Sequence, residues 1–146
     1  MGEAVTLTVA CHCGAIRATL AASKPAVELQ VRACQCSFCT RHGAMTVSDP
    51  AGRAVFEVDR AGLGKYRFAT RTGTSLLCGM YAGVILEDGG KVWSVLNVRG
   101  LAMAEFAGRA AQPVVYEGET AEQRVARRKA KWTPTEMVWR GPRADV

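Results

Sequence analysis

The sequence has no run of about eighteen or more apolar residues, so it offers no segment long enough for a membrane-spanning helix. Residues 1–3 lack the basic segment of a secretory signal peptide, and strand-like alternation begins at Val5, which favours a cytoplasmic protein. No Ser/His/Asp set and no pair of carboxylates indicates hydrolytic catalysis. No internal repeat or low-complexity segment divides the 146 residues, so we expect residues 1–146 to form a single domain.

Composition and charge narrow the class of protein further. Apolar residues make up 49% of the chain, which is enough for a hydrophobic core without disulfide support. Nineteen Lys and Arg residues against 13 Asp and Glu give a net charge of +6, which favours an anionic partner: a carboxylate, a phosphate or a nucleic acid. Six cysteines in a chain expected to reside in a reducing compartment indicate metal ligation or thiol chemistry rather than disulfides.

The hydrophobic pattern predicts a mainly β protein. Polar and apolar residues alternate in six segments, at 5–9, 16–20, 27–31, 54–58, 65–68 and 92–98. Short strands at this spacing favour an antiparallel sandwich or a compact pair of sheets. Near the C-terminus, Thr120 and Gln123 form a capping-box pattern at the start of residues 121–131, a segment rich in helix-forming residues. We therefore predict a basic helix within residues 119–132 that Pro134 ends.

The basic residues of this helix allow two interpretations. Arg124, Arg127, Arg128 and Lys131 fall at helical spacing and share one face. A solvated face is the favoured interpretation, and an anion-binding face beside a pocket or on RNA is the alternative. Only Trp132 supplies an aromatic ring nearby, so we do not expect a nucleic-acid partner.

The cysteines fall into two clusters that can ligate zinc. Cys11 and Cys13 project to one side at the end of a predicted strand, and Cys78 is the obvious third ligand; we call these three the Cys11 triad. Cys34, Cys36 and Cys39, the Cys34 triad, supply three thiolates within six residues. Three protein ligands leave a fourth position for water or substrate, as in catalytic zinc sites. Alternatively, His42 closes this site and makes it structural, whereas His12 is expected to point away from its neighbours.

Four motifs carry a resemblance to a known family. They are Cys-His-Cys-Gly-Ala-Ile-Arg at 11–17, Cys-Ser-Phe-Cys-Thr-Arg-His-Gly-Ala at 36–44, Tyr-Arg-Phe at 66–68 and Leu-Cys-Gly at 77–79. In this order they are similar to the glutathione-dependent formaldehyde-activating enzyme family, which also includes centromere protein V. The resemblance implies stacked antiparallel sheets that hold two zinc sites. The Cys11 triad would belong to a structural site, and the Cys34 triad to an open site where glutathione adducts react.

The sequence departs from the family pattern at the structural site. The family has Cys-x-x-Cys-Gly where this chain has one cysteine, Cys78. Aligned on Cys78 and Gly79, Ser75 stands at the position of the missing thiol; aligned on residues 76–78, the family's following residues are deleted before Gly79. A neutral hydroxyl is a poor zinc ligand beside thiolates, so water or His12 would complete the site, or it would stay empty. We therefore expect one tightly held zinc, while the ligands present allow two.

The resemblance also implies an activity. It is that of a carbon–sulfur lyase of the S-(hydroxymethyl)glutathione synthase type, with glutathione as co-substrate and formaldehyde or a related aldehyde as electrophile. Cys34, Cys36 and Cys39 would be the catalytic ligands, and Arg41 and Arg71 are candidate contacts for the glutathione carboxylates. The alternative is a non-enzymatic zinc-binding module for a protein or nucleic-acid partner, because the same ligands would serve it equally well.

Overall fold

The computed structural model of the chain describes residues 4–78, 81–106 and 108–141. Its strands are β1 (Thr6–Ala10), β2 (Ile16–Ala21), β3 (Arg32–Cys34), β4 (Thr46–Val47), β5 (Arg53–Asp59), β6 (Gly64–Tyr66), β7 (Thr74–Leu77), β8 (Tyr81–Asp88), β9 (Lys91–Asn97), β10 (Gln112–Val114) and β11 (Thr133–Arg140). The two α-helices of the described residues are α1 (Ser37–His42) and α2 (Ala121–Lys131). The expected mainly β fold with a C-terminal helix is confirmed. Neither of these helices is long or apolar enough to cross a membrane.

The strands form one branched sheet in the order β1-β2-β5-β11-β9-β4-β3-β10, with β8, β7 and β6 attached in turn to β9. On one side β9 pairs with β8; on the other, its first half pairs with β11 and its last two residues with β4. Most pairings are antiparallel, as expected, whereas β5 with β11 and β3 with β10 are parallel. The sheet is therefore mixed, and its branch at β9 lets it wrap around a core.

Alternation along the strands places the core on one face. In β5 every second residue (Ala54, Phe56 and Val58) is buried, and in β2 the same holds for Ile16 and Leu20 with Ala18 between them. Each large apolar side chain buried in this way contributes roughly 1.5–3 kcal/mol. The segments at 5–9, 16–20, 54–58 and 92–98 match β1, β2, β5 and β9 to within one residue at the ends that extend beyond a strand, so these predicted strands are confirmed.

Three local expectations were wrong, the last of them in part. The segment at 27–31 is not a strand: a short 3-10 helix spans Ala26–Glu28, because the peptide groups of Glu28 and Leu29 bond back to Pro25 and Ala26. Pro134 does not end α2 by itself. The helix ends at Lys131, and Pro134 belongs to β11, where it lies opposite Trp93 of β9. Residues 65 and 66 lie in β6, but 67 and 68 do not.

A buried carboxylate, Asp49, ties three segments together. It is 1% exposed, and it accepts hydrogen bonds from the Ser23 backbone at 2.7 Å and from the Ala51 backbone at 3.1 Å. Its own N–H donates to the Thr133 hydroxyl at 2.8 Å, at the start of β11. Burial alone would raise the pKa of Asp49, but the bonds from Ser23 and Ala51 outweigh it and lower the pKa.

We expect Asp49→Asn to destabilise the fold by about 1–3 kcal/mol, because an amide turns a donor toward a backbone N–H that needs an acceptor. A lowered pKa in the folded state gives stability that is present above the unfolded value, about 4, and is lost as the pH falls through the folded value. Urea unfolding at a series of pH values should therefore show the gap between wild type and variant closing in acid. A gap that stays constant down to the acid limit would contradict the role assigned to this carboxylate.

Candidate metal centre and its cavity

The Cys34 triad forms where a strand gives way to a helix. Cys34 is the last residue of β3, and its peptide neighbour Gln35 bonds to Val114 of β10, which fixes the strand end. Cys36 is the N-cap of α1, and its sulfur accepts a hydrogen bond from the backbone of Cys39 at 3.4 Å. The C-x-x-C step is thus one helical turn, and all three sulfurs lie within 4.8 Å of one another. Gly43 ends the helix in the left-handed conformation, with φ of 59°.

Two sulfurs of this triad, those of Cys34 and Cys39, have different proton affinities. A hydrogen bond from Cys39 lowers the pKa of Cys34 to about 5, and the positive charge of Arg127 adds to this shift. The same hydrogen bond, together with burial, raises the pKa of Cys39. Burial also raises the pKa of Tyr81 well above its usual value, and a hydrogen bond between its hydroxyl and Cys39 adds to this shift. The triad thus offers a thiolate at neutral pH, next to a tyrosine that keeps its proton.

The structure brings no fourth ligand from α1 to the Cys34 triad. His42 lies outside the group of potential ligands found in the described residues. Its ring instead packs on Phe38, with ring centroids 4.5 Å apart, and edge-on against Tyr81 at 5.4 Å. The alternative in which His42 closes the site is therefore not supported by the structure.

The Cys11 triad also comes together, at the turn between β1 and β2. The sulfurs of Cys11, Cys13 and Cys78 lie within 4.8 Å of one another, with 3.6 Å between those of Cys11 and Cys13. Burial would raise the pKa of Cys11, yet hydrogen bonds from the Ile16 backbone and from Cys78 and Cys13 lower it. Gly14, with φ of 79°, allows the tight turn. Both triads of the described residues can hold a metal ion.

Neither His12 nor Ser75 completes the Cys11 triad. Within the described ranges, the group of potential ligands at this site contains only the three cysteines. His12 is exposed and outside that group, as expected for a residue pointing away. Ser75 is buried in β7, opposite Val84 of β8, and lines a cavity beside the other triad. A serine at this position is therefore a wall residue rather than a zinc ligand.

A cavity of about 580 Å³, which we call the Cys34 cavity, is bordered by all three sulfur-bearing residues of the Cys34 triad. Much of its wall is apolar, including aliphatic residues such as Val84 and Val95. Its aromatic residues are Phe38, Phe68, Tyr81, Tyr116 and Trp132, and its charged residues are Arg32, Glu117, Glu119, Arg124, Arg127 and Arg128. This size is typical of a small-molecule site.

The arginines of α2 line this cavity rather than forming a solvated face, so that interpretation was wrong. The side chains of Arg124 and Arg127 are only 14% and 18% exposed, and both pair with Glu119. Arg127 also lies over the Tyr116 ring, 3.5 Å from its centroid. Hydrogen bonds from Arg127 outweigh burial and lower the pKa of Glu119. Lys131, the fourth member of the predicted face, is exposed.

The two arginines selected from the sequence as anion contacts lie elsewhere. Arg41 is exposed on α1 and does not line the Cys34 cavity. Arg71, in the left-handed conformation with φ of 57°, borders a smaller cleft of about 280 Å³ together with Asp88. Sequence reasoning missed Arg32, which enters the cavity from β3 and donates to Ser48. Its only sequence signal is its position two residues before Cys34.

Comparison with known proteins identifies no family. No family model matches the chain, and no curated protein matches it. Among solved structures, a crystal structure of a Rhodobacter sphaeroides protein is similar, with 24% sequence identity and a TM-score of 0.47 over 92% of this chain and 100% of that chain. A similarity of this size carries no argument about function. What the chain does must therefore be inferred from the two triads and the cavity.

Proposed function

We propose that the chain is a zinc-dependent carbon–sulfur lyase that forms or cleaves the adduct between a thiol, such as glutathione, and formaldehyde or a related aldehyde. One observation carries this proposal: Cys34, Cys36 and Cys39 converge on the wall of a cavity large enough for a small molecule. When three thiolates bind a tetrahedral metal beside a cavity, the fourth coordination position of the metal stays open to substrate.

The donor set fits zinc. With zinc–sulfur bonds of about 2.3 Å, tetrahedral thiolates lie about 3.8 Å apart, and the three sulfurs already lie within 4.8 Å of one another. Cys34 is poised as a thiolate, because its pKa is lowered to about 5. When bound, zinc would supply a Lewis acid that polarises the aldehyde oxygen or holds the incoming thiol as a thiolate.

The reaction needs little else from the protein. The thiol sulfur forms a bond to the carbonyl carbon, the carbonyl π pair moves to oxygen, and the proton lost by the thiol ends on the new hydroxyl. Tyr81 keeps its own proton and holds Cys39 through a hydrogen bond. Val84 and Val95 give the cavity an apolar wall, and a less polar environment strengthens charge interactions at the triad.

The alternative, a zinc-binding module for a macromolecular partner, loses its main support. A nucleic-acid interface needs arginines that reach phosphates, but Arg124 and Arg127 are largely buried and paired with Glu119. A cytoplasmic location belongs to the proposal, because a reducing compartment keeps both triads available for metal.

Zinc-loaded protein should accelerate the loss of free thiol when formaldehyde is mixed with glutathione, cysteine or 3-mercaptopropionate. We expect one zinc per chain to survive brief chelation, because the Cys34 triad contains no exposed cysteine, whereas Cys13 in the other triad is exposed. Elemental analysis measures the metal, and proton NMR detects the S-hydroxymethyl product. No rate above the uncatalysed addition for any of these thiols, combined with salt-sensitive binding of RNA or DNA, would refute the enzyme and favour the alternative.

A further inference from the structure

Arg128 is an unusual member of the cavity wall. Its Nε is buried and has no hydrogen-bond partner in the described part of the chain, while its Nη1 donates to the Thr72 hydroxyl at 2.8 Å. The guanidinium lies over the Trp132 ring, 4.7 Å from its centroid, and a Cβ added to Gly73 would lie 2.9 Å from Nη1. Burial lowers the pKa of Arg128 to about 10, and repulsion from Arg127 contributes. A charge held in this way is costly unless something compensates for it.

The rest of the cavity supplies only part of that compensation, through the nearby charge of Glu119. Four guanidinium groups and two carboxylates line the wall, a surplus of two positive charges. Glu119 is taken by Arg124 and Arg127, and Glu117 is exposed. Among the described residues, neither Arg128 nor Arg32 has a carboxylate within ion-pair distance; Arg32 donates to Ser48 instead. Because three thiolates around a divalent metal carry one net negative charge, the loaded cavity would keep a surplus of one positive charge.

The surface between Arg128 and the Cys34 triad is mainly apolar. Trp132, Val84 and Val95 pack against one another and line the cavity. Val84 also packs against the cluster that contains Cys39 and Tyr81, so the apolar surface continues from Trp132, under the Arg128 guanidinium, to the triad. A ligand that touches both ends therefore needs an apolar body and only one anionic group.

We propose that the Cys34 cavity selects a monocarboxylic acid with an apolar or aromatic body, whose carboxylate pairs with Arg128 while its reactive end reaches the Cys34 triad. A guanidinium can offer a carboxylate two parallel N–H donors, and a bound carboxylate would supply the anionic partner that Arg128 lacks among the described residues. The apolar body packs on Trp132, Val84 and Val95. This inference rests on the proposed function, since it names the substrate class of the same site.

The test uses two probes that contain neither thiol nor aldehyde, 4-phenylbutanoate and its neutral isostere 4-phenylbutanamide. Calorimetry on the zinc-loaded protein should show the acid binding at least about tenfold more tightly than the amide, because hydrogen bonds between charged groups are stronger than neutral ones. Arg128→Met should abolish the preference, and Arg128→Lys should keep part of it, since an ammonium supplies charge without the planar fork. Lys131→Met is the matched control, with the same loss of charge on an exposed residue of the same helix.

Three results would overturn the inference: equal binding of acid and amide by the wild type, an undiminished preference in Arg128→Met, or an equal loss in Lys131→Met. The first comparison needs no variant, so it decides even if Arg128→Met fails to fold. If the acid is preferred but no thiol–aldehyde pair is turned over, the proposed function fails and this inference stands. If neutral thiols are turned over and the acid is not preferred, the proposed function stands and this inference fails.

Discussion

Under the proposed function, Cys36→Ser is expected to release zinc from the Cys34 triad and to lower the proposed lyase activity by well over tenfold. The substitution separates two roles of this residue. As the N-cap of α1, Cys36 accepts a hydrogen bond from the Cys39 backbone at 3.4 Å, and serine performs that role well. As a ligand, serine offers a neutral hydroxyl in place of a thiolate, which zinc binds poorly. The helix should therefore persist while the metal is lost.

The matched control is Cys13→Ser, which makes the same atomic change in the Cys11 triad, at an exposed residue that does not line the Cys34 cavity. This variant should keep its activity and lose at most the metal of its own triad. Elemental analysis and the thiol-loss assay measure both effects, and circular dichroism verifies that each variant is folded. Full zinc content and full turnover in purified Cys36→Ser would show that this triad is not the reactive site.

Local patterns in the sequence were sufficient for part of the fold and for the membership of both triads. Alternation identified β2 and β5 because each has one face in the core and one outside it. The capping box at Thr120 and Gln123 fixed the start of α2, because both of its hydrogen bonds lie within four residues. The grouping of Cys34, Cys36 and Cys39 followed from spacing alone, since one strand end and one helical turn place them together.

Features that depend on distant pairing could not be predicted in the same way. Strand β11 forms because residues 135–140 pair in parallel with β5, about eighty positions earlier, and a proline near its start hides it in the sequence. Helical spacing showed that Arg124, Arg127 and Arg128 share a face, but it did not show which side the fold covers. That orientation depends on Glu119, Tyr116 and Thr72, which lie outside the helix. That Ser75 lines the Cys34 cavity could not be predicted for a similar reason, since it depends on the register of β7 against β8.

Gly100→Ala is expected to destabilise the fold severely, although it adds only one methyl group. A Cβ at this position would lie 1.9 Å from the Tyr81 carbonyl oxygen and 2.9 Å from its carbon, both backbone atoms. The carbonyl cannot easily retreat, because it accepts a hydrogen bond from the Asn97 side chain at 2.7 Å. Overpacking of this kind costs about 3 kcal/mol or more, which corresponds to a fall in melting temperature on the order of 10 °C for a chain of this size.

The damage should reach the metal centre, because displacing Tyr81 moves the hydroxyl that contacts Cys39. Gly100→Ala should therefore also bind zinc less tightly, as a competition assay with a chromophoric chelator would measure. Gly90→Ala provides the comparison. Gly90 has φ of 78° and nothing within 4 Å of an added Cβ, so alanine there incurs only the left-handed backbone penalty of about 1–2 kcal/mol and leaves zinc affinity unchanged. A Gly100→Ala protein that melts no lower than Gly90→Ala would show that the Tyr81 backbone is not held against Gly100. The idea that a change at Gly100 reaches the Cys34 triad through Tyr81 would then be wrong.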